Sequence, residues 1–310
     1  MIDVIIPIYN QKNYLDDCLQ SLLNQTYKNF KVHLIDDGSS DGSSLILKAY
    51  AAKYPTLFHY HFKENGGLSD ARNYGLKFVN APYIHFLDSD DYLDSQFYEI
   101  MLKEIKGYDL VATGMNEFNN NGIFNKIPAT NLQDPDTIKA GLFAPMFASN
   151  KLYKASLFED LRYPKGYWYE DIPVFIKLIS SNIKINFLDN YLFYYRHHDD
   201  SIMKSNNNPK LFDIFTICKM VIAIFKEKNL LNKYYYELEF FIIEHLRLYG
   251  MYRFLRSNYK KTLISESNHF MQLNFPNFKK NPYLKKRNLK ERLFVKYPFI
   301  GRIYFSLRYK

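Results

Sequence analysis

Short apolar runs separated by amphipathic stretches set the rhythm of the N-terminal part of the chain. Asp3 to Ile8, Lys31 to Ile35, Leu57 to Phe62 and Tyr83 to Leu87 read as strands, with helical patterns between them near 12–24, 41–53 and 69–79. Ser69 is the predicted N-cap of the third helix. Apolar strands joined by helices are the pattern of consecutive βαβ units, so this half is expected to be doubly wound on a largely parallel sheet.

From Gly107 to Lys126 the pattern is a strand followed by the turn Asn119-Asn120-Asn121-Gly122, which predicts a hairpin or surface loop. A second α/β stretch follows, with a helix from about Asp171 to Ser180 and strand-like runs at Ile183 to Leu188 and Tyr191 to Tyr195. After Asn206-Asn207-Asn208-Pro209 the pattern becomes long and helical, near 210–228 and 231–256, and ends in a basic aromatic tail. The expected division is therefore an α/β domain over 1–208 and a helical region over 209–310.

With 310 residues and 47% apolar content, the chain can bury one large core, or one core and an appendage. Asp3 interrupts the start, and no uncharged apolar run approaches the length of a bilayer span, so neither a secreted nor a transmembrane protein is expected. Cys18 and Cys218 are too few and too far apart for a disulfide framework or a zinc site, which fits a reducing cytoplasm. Cys18 falls on the stripe Leu15, Cys18, Leu19, Leu22, Leu23 and reads as a small buried hydrophobe. The net charge of +9 belongs to the tail: residues 279–310 carry eleven Lys and Arg against Glu291, leaving 30 basic and 31 acidic residues elsewhere. That distribution argues against a nucleic-acid partner for the chain as a whole.

In open parallel sheets, ligands bind outside the carboxyl ends of the strands. Pro7-Ile8-Tyr9-Asn10, Asp36-Asp37-Gly38-Ser39 and Asp88-Ser89-Asp90-Asp91 follow the first, second and fourth predicted strands, so one sheet edge collects carboxylates from distant positions. Grouped carboxylates repel unless a cation compensates, and hard oxygen ligands suit Mg²⁺ or Mn²⁺, which in turn bind a diphosphate. Neither G-x-G-x-x-G nor a P-loop is present. Asn65-Gly66-Gly67-Leu68-Ser69-Asp70-Ala71-Arg72-Asn73 is a glycine turn entering a helix; it reads equally as a phosphate cradle with Arg72 and as a plain helix start.

Val4-Ile5-Ile6-Pro7-Ile8-Tyr9-Asn10, Ile35-Asp36-Asp37-Gly38-Ser39-Ser40-Asp41-Gly42, the glycine turn from Asn65, Phe86-Leu87-Asp88-Ser89-Asp90-Asp91 and Tyr169-Glu170-Asp171-Ile172 occur in the order seen in glycosyltransferase family 2. Over residues 1 to about 203 the chain resembles a bacterial, inverting member with the GT-A fold, of the capsular, exopolysaccharide or lipopolysaccharide type. The resemblance implies a mixed, mainly parallel sheet and a UDP-sugar donor. Pro7 and Tyr9 would line the base pocket, Asp37 would accept from uracil, and Asn65, Arg72 and Ser89 would belong to the donor site. Asp88 and Asp90 would be the outer residues of a DxD metal motif, with Asp90 the direct ligand, and Asp171 would be the catalytic base. The segment from Tyr195 to Met203 resembles one that closes over the donor, which would make His198 a third metal ligand.

Displacing a nucleoside diphosphate from an anomeric carbon needs a base at the acceptor hydroxyl and an electrophile at the leaving group. One base without a carboxylate nucleophile predicts inversion. Glu170 and Asp171 also suit the start of the predicted helix on charge grounds, and both readings can hold together. Tyr167-Trp168-Tyr169 suits an acceptor platform and core packing equally. The tail favours contact with an anionic membrane surface over RNA binding or a disordered end, because a lipid-linked acceptor would place the enzyme on the inner face of the plasma membrane. The helices at 210–256 leave a homodimer open. A nucleotidyltransferase would carry a basic glycine-rich loop after the first strand, which is absent, and a non-catalytic nucleotide-sugar or glycan binder would lack Asp171.

Overall fold

Every residue of β1 (Ile2–Ile8) is buried, as an unbroken apolar run requires of a central parallel strand. Even Asp3 is enclosed; its carboxylate accepts the Asn80 and Ala81 amides at 2.7 and 2.8 Å. In this computed structural model, which describes residues 1–198 and 206–297, α1 (Leu15–Leu23) and α2 (Ser43–Lys53) connect β1 to β2 (Phe30–Asp36) and β2 to β3 (Phe58–Phe62). α1 turns Leu15, Cys18, Leu19 and Leu22 inward, so Cys18 is buried as its spacing implies. α3 (Leu68–Gly75) leads through a 3-10 turn to β4 (Tyr83–Phe86). Gly75 permits its close approach to β1, since a Cβ there would lie 2.5 Å from Ile5 Cγ2. The residue before α3 is Gly67, at φ 84°, and not Ser69, which is buried inside the helix.

β5 (Tyr92–Leu93), α4 (Phe97–Glu104), the hairpin of β6 (Leu110–Asn119) and β7 (Gly122–Ile127), α5 (Thr137–Leu142), β8 (Lys151–Lys154), α6 (Asp171–Ile179) and β9 (Ile185–Arg196) follow. Among the described residues the sheet runs β3-β2-β1-β4-β8-β6-β9-β5, with β7 on β6. β3, β2, β1 and β4 are mutually parallel and β9 is parallel to β6, whereas β8 enters antiparallel between β4 and β6. The sheet is therefore mixed, and the carboxyl ends of β1, β2 and β4 share one edge. The two runs predicted at 183–195 are a single strand with register shifts against β6 near Gly114, where Thr113 Oγ1 donates to the Asn190 carbonyl at 2.7 Å.

Met1–His198 and Asp199–Lys310 form two compact units. The second contains α7 (Asp213–Glu227), α8 (Tyr235–Ile243), a π-helical turn (Glu244–Leu248), α9 (Tyr249–Arg256), α10 (Lys260–Asn274) and α11 (Leu289–Lys296). Its aromatic residues meet one another, Phe215 lying 6.0 and 6.2 Å from Phe254 and Phe270. The start of the basic tail is built into this unit: Phe278, Leu284 and Val295 are buried, Arg287 pairs with Glu244, and Arg247 donates to the Val295 carbonyl at 3.2 Å. Residues 298–310 of the tail, and Asp199 to Met203 of the proposed closing segment, lie outside the described residues. No helix among the described residues is long and apolar enough to cross a membrane.

Candidate active site

α3 turns Ser69, Ala71, Arg72 and Gly75 inward, which encloses a guanidinium that must find partners. Arg72, 1% exposed, donates through Nη1 to Glu170 Oε1 at 2.7 Å and Asp171 Oδ1 at 2.6 Å, and through Nη2 to Asp88 Oδ1 at 2.7 Å. Its guanidinium also lies 5.1 Å from the Tyr163 ring centre. Burial favours a neutral guanidine, but the charges of Asp171, Asp88 and Glu170 override it and push the pKa further up. Arg72 thus lies at the sheet edge with its cation engaged by three carboxylates, partners that its expected place in the donor site did not include.

Asp88 Oδ2 accepts Ser149 Oγ at 3.0 Å, and Asp171 Oδ2 accepts the Ala148 amide at 3.2 Å. Burial raises the pKa of Asp171 and Asp88 adds to it, while Arg72 opposes; the net direction is upward. Burial, with the charge of Asp171, pushes Glu170 up to about 7. Asp171 opens α6 two residues after Tyr169, whose φ of 63° is rare for a bulky side chain and is the kind of backbone outlier that gathers at functional sites.

The aspartates after β4 have separate fates. Asp90 Oδ2 lies 2.9 Å from His198 Nε2, and the imidazole, 9% exposed, packs 4.3 Å from the Tyr14 ring. Ser89 is buried. Asp91 is buried as well; it accepts the Arg196 amide at 2.8 Å, and burial with the charges of Asp90 and Asp88 pushes its pKa well up. Among the described residues no three His, Cys, Asp or Glu side chains gather as a metal cage. The expected ligand set is thus divided: Asp90 and His198 meet, whereas Asp88 is drawn away by Arg72 and Ser149.

At the other end of the edge, the Asp37 amide donates to the Ile8 carbonyl at 2.8 Å, which sets Asp37 beside the Pro7–Tyr9 turn. Pro7 is buried in β1, whereas Tyr9 is 49% exposed. The Asp37 carboxylate accepts the amides of Gly66 and Gly67 at 3.0 and 2.8 Å and pairs with Lys63, while Asn65 Nδ2 donates to its carbonyl at 3.0 Å. The glycine turn therefore cradles a carboxylate of the chain itself, a partner that neither of its two expected readings named. Of the aromatic triplet, Tyr167 is 36% exposed and Trp168 half-buried. Sequence reasoning missed Tyr163, Ser149 and Lys151, none of which follows a predicted strand, and gave Arg196 no role of its own within the segment read as closing over the donor. No local signal marks Lys151, which stands between Ser149-Asn150 and Leu152-Tyr153-Lys154.

A family model described as Glycosyl transferase family 2 matches residues 3–162. Glycosyltransferase GlyA of Streptococcus pneumoniae serotype 4 is 34% identical over 221 residues, 66% of this chain and 31% of that protein. Minor teichoic acid biosynthesis protein GgaB of Bacillus subtilis is 31% identical over 244 residues, 72% of this chain and 26% of that protein. The chain thus spans about a third or less of the length of these two relatives. The crystal structure of S. aureus TarS 1-349 in complex with UDP-GlcNAc aligns with a TM-score of 0.73 at 20% identity, over 97% of this chain and 92% of that one. This likeness establishes the GT-A fold expected from the motifs. Since the family model covers half of the sequence, the chain belongs to glycosyl transferase family 2.

Proposed function

We propose that the chain transfers a sugar from a UDP-sugar to a hydroxyl of a glycan or lipid-linked acceptor in bacterial surface-polysaccharide synthesis, with inversion at the anomeric carbon. The observation that carries this reading is the setting of Asp171: a partly exposed carboxylate, steadied by the Ala148 amide and by a guanidinium shared with Asp88. Asp171 would take the proton of the acceptor hydroxyl as that oxygen attacks, and its raised pKa brings it closer to the range useful for proton removal. With Asp171 assigned as base and no carboxylate assigned as nucleophile, the reading favours inversion, an α-linked donor giving a β-linked product.

UDP as the nucleotide is supported by the UDP-GlcNAc held by TarS and by the place of Asp37 beside Tyr9. Three donors already reach the Asp37 carboxylate, and its roughly four lone-pair sites leave one for a uracil imide. Asp90 and His198 would hold Mg²⁺ or Mn²⁺; one carboxylate and one imidazole suit an ion whose shell is completed by phosphate oxygens. When bound, that ion supplies positive charge to the departing diphosphate. Release of nucleoside diphosphate from a panel of sugar nucleotides, with Mn²⁺, Mg²⁺ or EDTA, tests the whole reading. Turnover of one UDP-sugar is expected, abolished by EDTA, with Asp90→Ala or His198→Ala raising the metal requirement about tenfold or more. No release with any donor and lipid-linked acceptor, together with no UDP binding, would favour a non-catalytic binder.

Work at the inner face of the plasma membrane belongs to the same proposal. Arg302, Arg308 and Lys310 belong to the last part of the tail, outside the described residues. At about 1 kcal/mol each on an anionic surface, their loss weakens binding on the order of 100-fold. Sedimentation with phosphatidylglycerol vesicles, comparing the full chain with one ending at Tyr297, reads this directly. Equal binding counts against the membrane contact.

A further inference from the structure

Lys151, the first residue of β8, is 0% exposed. A methionine or leucine could fill the same space without bringing a charge out of water, so an ammonium here calls for a reason. Nζ has three acceptors: the Pro145 carbonyl at 2.7 Å, the Phe147 carbonyl at 2.6 Å and Asn150 Oδ1 at 2.8 Å. They match the three N–H donors of an ammonium, and a neutral amine would leave one unserved. The Phe175 ring of α6 closes over the group at 4.6 Å. Burial lowers its pKa to about 7, and the charge of Asp171 opposes that fall.

Two of these acceptors belong to the loop that serves the active site. The amide after Phe147, that of Ala148, donates to Asp171 Oδ2 at 3.2 Å, and the next side chain, Ser149 Oγ, donates to Asp88 Oδ2 at 3.0 Å. Asn150, the third acceptor, donates to the Thr113 carbonyl at 2.6 Å and so ties the segment to β6. One short stretch therefore carries both the anchors of Lys151 and a donor to each of two site carboxylates. Asp171 has only Arg72 and the Ala148 amide to orient it among the hydrogen bonds described.

We propose that Lys151 is a positioning residue for transfer: by holding the Pro145 and Phe147 carbonyls inward, its ammonium aims the Ala148 amide at Asp171 and Ser149 Oγ at Asp88. This rests on the reading of Asp171 as the base. Without the clamp the loop carbonyls have no partner inside the fold and turn toward water, the Ala148 amide turns with them, and Asp171 is held by Arg72 alone. The cost falls on the chemical step, because the Ala148 amide supports the base.

Four proteins test this: wild type, Lys151→Met, Asp171→Asn and the double variant, each followed by steady-state transfer, UDP binding and thermal unfolding. For Lys151→Met, kcat falls on the order of 100-fold through loss of alignment, while donor KM and UDP Kd change less than about threefold. In the Asp171→Asn background the same substitution changes kcat less than about threefold, because the group it positions is already gone. Lys151→Gln, whose amide keeps two N–H donors, loses about tenfold and carries the comparison if Lys151→Met does not fold. An equal loss in both backgrounds, or wild-type kcat in Lys151→Met, overturns the proposal. Wild-type kcat in Asp171→Asn alone strikes the base assignment itself, and with it this role for Lys151.

Discussion

Asp171→Asn abolishes transfer while sparing donor binding: kcat falls by ~10²–10⁴-fold, the usual contribution of a positioned general base. The substitution is nearly isosteric, and the amide oxygen can still accept from Ala148 or Arg72. What it cannot do is take the acceptor proton. In the wild type, kcat/KM rises with pH along an acidic limb set by a carboxyl whose pKa burial holds above the ordinary Asp value of 3.8. A base acts only when deprotonated, so activity is lost as pH falls through that limb, and Asp171→Asn removes the limb. Steady-state UDP release at saturating donor and acceptor, with UDP binding measured in parallel, decides the matter. A kcat within about tenfold of wild type would sink the assignment.

Arg72→Met is expected to cost about 3–5 kcal/mol of stability, the penalty for removing one partner of a buried charge cluster, and to eliminate activity. Asp88, Glu170 and Asp171 would be left facing one another with no cation among them. Each would then hold a proton more tightly folded than unfolded. A carboxyl whose folded pKa is raised destabilises the fold fully above that pKa, and its penalty vanishes below the unfolded pKa. The deficit relative to wild type should accordingly be larger at pH 8 than at pH 5, as urea unfolding at both values would measure. Arg72→Lys does not restore the wild type, since a compact ammonium cannot reproduce the planar fork that reaches three acids. Unchanged stability, or a deficit that grows as pH falls, contradicts this account.

The parallel half of the sheet was legible because β1, β2 and β4 are buried runs ending in polar residues, and such runs announce both the strand and the edge where a site forms. The hairpin was legible from its Asn/Gly turn, and α6 from its apolar run. β5 and β8, of two and four residues, are too short for periodicity to register. α10 was missed because one of its four buried positions is Ser267, which breaks the apolar stripe. The site divides in the same way. Asp37, Asp88, Asp90 and Asp171 could be singled out as candidates because carboxylates after strands, or in a familiar motif, stand out along the chain. The partners of Arg72 and of the Gly66-Gly67 amides were not legible because they lie in distant segments, and nothing local distinguishes an amide that meets a phosphate from one that meets Asp37. Lys151 is harder still, since its meaning resides in which carbonyls it reaches.

Glu170 and Asp171 follow Arg72 by 98 and 99 residues, while Asp88 follows it by 16. During folding, α3 carries a hydrated guanidinium until β8 has entered the sheet and α6 has docked, because its two most distant partners arrive with that half of the domain. Contacts that close such long loops form late, and late contacts govern how fast a protein comes apart more than how fast it assembles. The cluster that orders the candidate active site is thus also a latch on the lifetime of the folded domain: without it the chain would reach the same fold at much the same rate and leave it sooner, a difference visible in the unfolding limb of stopped-flow traces.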